Sequence, residues 1–177
     1  MKFEFWCKSF LSIYKLLPAL CDSIDNIIEA RAISPVQMQE DGTYRQTNAI
    51  IALSQQKVNM INLKVLTDKT LVQLDEYSAR LIINHFIDGI SNNDCAKRLG
   101  LSRREYFRKK QKALTGFEGY FRMNFQNAKR VYNEVFKGIF WQETMEKLCS
   151  YEKMGGSIED CPEVVCNLLL KRLRKII

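Results

Sequence analysis

Cationic side chains are concentrated in one short stretch of this 177-residue chain. Residues 91–114 contain eight lysines and arginines against two acidic residues, whereas residues 1–90 contain nine basic and ten acidic ones. The whole chain has a formal net charge of +7, and this stretch supplies most of it. Clustered ammonium and guanidinium groups bind phosphates, so the local excess favours a polyanionic partner such as nucleic acid.

No comparable pattern supports catalysis. His85 is the only histidine, and the chain has neither a glycine-rich phosphate loop nor a GxSxG nucleophile motif. The acidic residues are scattered, without a pair at a spacing typical of acid–base catalysis. We therefore expect no enzyme activity, no catalytic residue and no cofactor, and we interpret His85 as a surface or packing residue.

The cysteines indicate the redox environment. None of them forms a CxxC pair, and their spacing does not match a secreted disulfide framework, so we predict no disulfides and no metal site. No apolar run reaches the ~18 residues that a membrane-spanning helix needs. We expect reduced, partly buried thiols in a cytoplasmic protein that does not bind membranes. The six residues are Cys7, Cys21, Cys95, Cys149, Cys161 and Cys166.

Helix-capping residues divide the region around the cationic stretch into short helices. Asp75 is a good N-cap for a first helix, whose apolar stripe ends before Gly89. Ser91 can cap a second short helix over residues 92–99, and Asp94 three residues later resembles a shortened capping box. These signals place the start of the cationic stretch on a short helix.

A tight reversal and a third helix follow. Gly100 can adopt the left-handed conformation that such a turn requires. Ser102 can cap a helix over residues 103–114, in which Glu105 lies in the first turn and cations occupy the remainder, as the helix dipole favours. The pattern therefore predicts a cationic helix after a glycine turn.

The remainder of the chain also has helical periodicity, which predicts an all-α fold. We predict an amphipathic helix over Phe3–Leu17, whose Phe3, Phe5 and Trp6 pack into the C-terminal aromatic region. A second helix over Ala19–Ala32 and a loop over Ser34–Thr43 follow. A long helix is predicted over Tyr44–Leu66, with an apolar face of Ile50, Leu53, Val58, Ile61 and Val65.

The C-terminal part is rich in aromatic residues. After Thr115-Gly116, apolar residues at helical spacing predict one long helix whose aromatic face belongs to the core or to a subunit interface. Gly155-Gly156 marks a break, and Pro162 can occupy the first turn of a last helix that ends in a basic, solvated tail over 171–175.

The capped segment contains a recognisable arrangement of landmarks. They are Leu74-Asp75-Glu76, then Phe86-Ile87-Asp88-Gly89 followed by Ile90-Ser91, then Ala96-Lys97-Arg98-Leu99-Gly100-Leu101-Ser102, and finally Ala113-Leu114. The segment resembles the fourth conserved region of sigma-70-type factors, and in particular the small phage and prophage regulators that carry this module after a helical N-terminal region. Asn84 departs from the family pattern, which has an apolar residue there. The resemblance covers 41 of the 177 residues.

The resemblance implies a helix-turn-helix whose recognition helix, Arg103–Leu114, enters the major groove of DNA. The implied contacts are of two kinds. Arg103, Arg104 and Arg108 would contact bases or phosphates, Glu105 would accept from cytosine, and Phe107 would touch a thymine methyl group. Phosphates would be held by Lys109, Lys110 and Lys112, and by Asn92 and Asn93 with the helix-capping residues Ser91 and Ser102.

Three regions follow from this interpretation: an N-terminal helical region over 1–70, the DNA-binding domain over 71–115, and a C-terminal helical extension over 116–177. The predicted function is sequence-specific binding of double-stranded DNA in transcription regulation, of the phage or mobile-element type. Two mechanisms are open, a homodimer on a paired site or an activator that works with RNA polymerase. The alternative is a protein-interaction module, an adaptor or inhibitor that uses the helix-turn-helix as a scaffold.

Overall fold

The computed structural model describes residues 2–33, 42–159 and 161–176, and no strand occurs in these ranges. The all-α fold class is therefore confirmed. The helices are α1 Phe3–Ile13, α2 Leu17–Ile33, α3 Gly42–Gln73, α4 Glu76–Ile82, α5 Asn92–Arg98, α6 Arg103–Asn127, α7 Lys129–Val131, α8 Ile139–Lys153 and α9 Pro162–Leu173. A 3-10 turn Tyr14–Leu16 joins α1 to α2, and α4 and α7 continue as the π-helical turns Ile83–Ile87 and Tyr132–Phe136.

Helices α1, α2, α3 and α9 each overlap a range in which the periodicity predicted a helix. The predicted first helix ends earlier, at Ile13, and Pro18 is accommodated in the first turn of α2. Of the loop predicted over Ser34–Thr43, residues 34–41 lie outside the described residues, and the remainder belongs to α3. Pro162 begins α9, as predicted. Proline has no backbone N–H, and in the first turn of a helix this group has no partner inside the helix.

An aromatic core joins the two ends of the chain. The Trp6 and Phe136 rings stack with centroids 4.4 Å apart, and Phe3 lies 5.4 Å from Phe136 and 6.3 Å from Phe121. Phe5 is half-buried against the same cluster. The predicted packing of the N-terminal aromatic residues against the C-terminal region is confirmed.

Of the predicted basic tail, Lys171 and Arg172 belong to α9, and only Arg174 and Lys175 follow it. Lys171, Arg174 and Lys175 are exposed, whereas Arg172 is half-buried and bonds to Glu143 at 2.6 Å.

The predicted end of the cationic helix is wrong. Instead of stopping at Leu114, α6 continues through Thr115 and Gly116 to Asn127, a total length of 25 residues. Its inward face is continuous, since Ala113, Leu114, Phe117 and Phe121 are all buried. The single long helix predicted after Gly116 is also wrong, because the helical chain is interrupted at Ala128 and at Gly138. The boundary predicted after residue 115 thus falls inside α6, while the three-region division stays a prediction.

The apolar face predicted for α3 is also wrong in part. Leu53 is buried and Ile50 is half-buried, but Val58, Ile61 and Val65 are exposed. The face that packs against the other helices is a different one, and it includes polar side chains. Its buried members are Ala49, Leu53, Asn59, Met60, Leu63, Leu66, Thr67, Thr70 and Leu71.

The thiols are free, as predicted: Cys7 and Cys95 are buried, and the other four are half-buried. Burial raises the pKa of the Cys7 thiol far above its usual range. Among the described residues, no helix is long and apolar enough to cross a membrane.

Candidate nucleic-acid interface

The cationic stretch begins with two capped helices. The Ser91 hydroxyl accepts a hydrogen bond from the Asp94 amide at 3.2 Å, and the Ser102 hydroxyl accepts one from the Glu105 amide at 3.3 Å. The Glu105 carboxylate accepts in return from the Ser102 amide, which completes a capping box. The two caps fix where α5 and α6 begin, since they satisfy amides that have no partner inside the helix.

The connection between α5 and α6 is a short turn over residues 99–102. Gly100 has φ +62°, the left-handed conformation predicted for it, and the Leu101 amide donates to the Ala96 carbonyl at 2.9 Å. A Cβ at Gly100 would meet no atom within 4 Å, so the backbone conformation and not the available space favours glycine.

A small apolar cluster holds α4, α5 and α6 together. Leu81, Cys95 and Tyr106 are fully buried, and Ala96 lies beside them. The flanking residues Ile90, Leu99 and Leu101 pack against this cluster. Small Ala96 and apolar Leu101 thus lie where these helices pack together. The cluster orients α6, so that the opposite side of its first turns faces outward.

That outward side is cationic. Arg103, Arg104, Arg108 and Lys112 are exposed. None of these four makes a salt bridge with another described residue. Glu105 is the only acidic side chain in this part of α6, and its pKa is lowered, first of all by the hydrogen bonds from Ser102.

Two aromatic residues lie among these cations. Phe107 is 42% exposed, and the Arg103 guanidinium carbon lies 5.9 Å from the centre of its ring. Half-buried Lys109 lies with its ammonium 4.7 Å from the centre of the Tyr77 ring on α4. Phe107 is therefore available to a ligand, and Lys109 is held at the edge of the surface.

Two of the predicted DNA contacts point inward instead. The Lys110 side chain is only 7% exposed, and its ammonium donates to the Glu159 carboxylate at 2.7 Å. It also donates to the Asn92 amide oxygen at 3.0 Å, which accepts from the Tyr106 hydroxyl at 3.1 Å. Lys110 is thus buried, and half-buried Asn92 is engaged by Lys110 and Tyr106, so we leave both out of the proposed interface. Asn93 and the caps Ser91 and Ser102 remain exposed.

Glu159 is the centre of this interior polar cluster, which the sequence did not reveal. Its carboxylate lies 3.4 Å from the Lys8 ammonium and 3.4 Å from Nε2 of buried His85. Burial alone would raise the pKa of Glu159, but hydrogen bonds from His85 and Lys110 and the charges of Lys110 and Lys8 lower it to about 2. The cluster joins α1, α6 and the segment before α9.

His85 has a structural role in this arrangement. It is 4% exposed, its ring lies edge-on to Phe86 with centroids 4.8 Å apart, and its Nδ1 is 3.0 Å from the Ile90 carbonyl. The residue therefore packs inside the protein, one of the two roles expected of it. In the part of the chain that the structure describes, no group of three His, Cys, Asp or Glu residues could hold a metal ion.

Comparison of the chain with protein-family models, with curated proteins and with solved structures finds no match.

Proposed function

We propose that this protein is a cytoplasmic regulator of transcription, of the phage or mobile-element type, that binds double-stranded DNA in a sequence-specific manner. The N-terminal half of α6 would enter the major groove. The observation that carries the proposal is the outward face of Arg103, Arg104, Arg108 and Lys112, which is exposed and free of salt bridges within the described chain. Arg104, Arg108 and Lys112 lie on the side of α6 opposite buried Tyr106, and Arg103 begins the helix. Unpaired, solvated cations in these positions are available to phosphates and base edges.

The geometry around the start of α6 also suits double-stranded DNA. The major groove, about 12 Å wide, admits one α-helix and is read by residues near the N-terminus of that helix. The capping box fixes the start of α6, and the short turn after α5 leaves the first turns of α6 uncovered. We assign base contacts to Arg103, Arg104 and Arg108.

The other predicted DNA-contacting residues are assigned by their exposure and by the contacts they already make. Exposed Lys112 and half-buried Lys109 would hold phosphates, together with Asn93 and the exposed capping residues Ser91 and Ser102. Phe107 would contact a thymine methyl group. Glu105 is engaged in the capping box, so accepting from cytosine would compete with that interaction.

The test is selection from a genomic fragment library at two salt concentrations, followed by titration of the enriched DNA. The variant Arg103→Gln/Arg104→Gln/Arg108→Gln should abolish binding. The matched control, Lys129→Gln/Lys147→Gln/Lys153→Gln, removes three exposed cations elsewhere and should bind normally. The unmodified protein should lose affinity steeply with salt, because each phosphate contact contributes about −0.9 to the slope of log K against log salt.

Retention without a common sequence motif, or equal loss of binding in both triple variants, would contradict the proposal. A transcriptional activity that survives the arginine substitutions would favour the protein-interaction module instead. RNA polymerase would then be the first partner to test by co-purification.

A further inference from the structure

The carboxylate of Glu159 lies at a junction between separate parts of the fold. Its Oε2 accepts from the Lys110 ammonium of α6 at 2.7 Å and lies 3.4 Å from Nε2 of His85, while its Oε1 lies 3.4 Å from the Lys8 ammonium of α1. The preceding residue, Ile158, is fully buried in the main core, so the segment that contains Glu159 is fixed to the body of the protein. One oxygen of the carboxylate thus faces α1, and the other faces the predicted DNA-binding region.

Two paths lead from this carboxylate to the start of α5. Lys110 also donates to the Asn92 amide oxygen at 3.0 Å, and Asn92 is the first residue of α5. On the second path, Nδ1 of His85 lies 3.0 Å from the carbonyl oxygen of Ile90. Ile90 and Asn92 are the two neighbours of Ser91, the residue that caps α5. The carboxylate therefore reaches both sides of this cap, through one intermediate residue on each path.

The intermediate residues are shielded from solvent. The side chains of Lys110 and His85 are 7% and 3% exposed, and that of Glu159 is 19% exposed. Hydrogen bonds to charged groups are stronger than those between neutral groups, and a buried charge that loses its partner is strongly destabilising. An ion pair on the open surface would contribute little. The Glu159 cluster is therefore a strong connection between the body of the protein and the start of α5.

We infer that Glu159 is a positioning residue for the DNA interface, because it fixes the N-terminus of α5 relative to α6 and to the body of the protein. This inference rests on the proposed function and deepens it. In a helix-turn-helix the first helix of the pair contacts the DNA backbone while the second lies in the major groove. Ser91 and Asn93, which we assign to phosphates, lie in the segment that the two paths hold. The spacing of α5 and α6 thus decides whether both sets of contacts form at once.

A variant without this carboxylate should bind DNA less tightly even where it is fully folded. Glu159→Gln keeps the shape of the side chain and removes its charge, which loosens Lys110 and, with it, Asn92. We expect the affinity for the selected DNA to fall by at least about fivefold, the lower end of the coupling that is typical between two sites of a protein. The outward cations of α6 are unchanged in this variant, so the slope of affinity against salt should stay the same.

Titration of the selected DNA tests the inference, at a temperature where circular dichroism shows each variant to be folded. The matched control Leu169→Ala removes a fully buried side chain from α9 and also destabilises the protein, but it removes no member of the cluster and should bind DNA normally. Unchanged affinity in Glu159→Gln, or an equal loss in the control, would overturn the inference. Tighter binding with a steeper salt slope would also overturn it, because Lys110 would then be a phosphate contact that Glu159 withholds.

Hydrogen exchange of the free protein tests the connection without DNA, and with a second variant in case Glu159→Gln does not fold. Lys110→Met/Glu159→Gln removes both buried charges together, which costs less than leaving one of them unpaired. In this variant the amides of α5 should exchange faster, whereas those of α8 should be unchanged. Unchanged exchange in α5 would overturn the inference. If the unmodified protein binds no DNA, the proposed function fails, and the exchange rates still report separately whether Glu159 holds α5.

Discussion

Gly100 is the residue on which the turn before α6 depends. Its φ of +62° is costly for any residue with a Cβ, by about 1–2 kcal/mol. We expect Gly100→Ala to lower the free energy of unfolding by about 1 kcal/mol, measured by urea denaturation. Gly119→Ala is a control of opposite sign: Gly119 lies within α6 with open space around its Cα, and alanine there should stabilise by about 0.5–1 kcal/mol. A neutral Gly100→Ala would mean that the turn tolerates a side chain.

Glu159 should make stability depend on pH. Its pKa in the folded protein, about 2, lies below the ordinary 4.5, so the ionised carboxylate stabilises the fold above pH ~4.5, and this contribution disappears as the pH falls towards 2. The difference corresponds to about 3 kcal/mol at neutral pH. We expect Glu159→Gln to be less stable by about that amount at pH 7, and by much less at pH 2.

Urea denaturation at both pH values measures this effect, and Glu146→Gln, at an exposed position, is the control. Adding Lys110→Met to Glu159→Gln should restore part of the lost stability, because Glu159→Gln alone leaves a buried ammonium without its carboxylate partner. An equal loss at pH 7 and pH 2 would indicate that packing, and not charge, is responsible.

At the scale of single residues, the sequence predicted features that depend on neighbouring residues and missed contacts between residues far apart in the chain. The caps at Ser91 and Ser102 and the left-handed Gly100 depend on neighbours within a few residues, so the residue types are sufficient. The Lys110–Glu159 pair joins residues 49 positions apart. No local spacing rule relates them, and Lys110 was assigned to the surface because its neighbours in sequence are cationic.

At the scale of elements, α6 contains both the proposed DNA-contacting residues and part of the aromatic core. Phe117, Phe121 and Phe125 stack in succession along its buried side, with centroid separations of 5.3 and 5.4 Å. We expect Phe121→Ala to cost about 3–5 kcal/mol, since it removes a fully buried ring from this stack. Tyr120→Ala, at the neighbouring 41% exposed position, should cost much less in the same thermal or urea unfolding experiment. Similar losses would show that the stack does not hold α6.

The errors over α3 and α6 have a common physical cause. Apolar residues occur on two sides of α3, and periodicity shows that a helix has apolar faces without showing which one its neighbours cover. For α6, Thr115-Gly116 is a local stop signal, which is overridden by the burial of Ala113 and Leu114 before it and of the phenylalanine stack after it. Helix existence could therefore be predicted from the sequence, whereas burial and helix ends depend on tertiary packing.

At the scale of the whole molecule, the length of DNA that the protein protects separates the two mechanisms proposed for it. A two-fold dimer presents two copies of α6, and it should protect two half-sites related by a dyad, separated by a multiple of a helical turn of DNA. Tethering the second copy to the first can raise affinity by about 10²-fold or more. A monomer that works beside RNA polymerase should protect a single half-site.

The unmodified protein should bind a full site ~10²-fold more tightly than a half-site if two copies bind as one unit. The variant Arg103→Gln/Arg104→Gln/Arg108→Gln should lose binding to the full site and the half-site alike, because it removes the assigned base contacts from every copy. Footprinting and titration on full and half sites measure both effects. If the unmodified protein binds the two sites with equal affinity, regulation as a monomer beside RNA polymerase becomes the favoured mechanism.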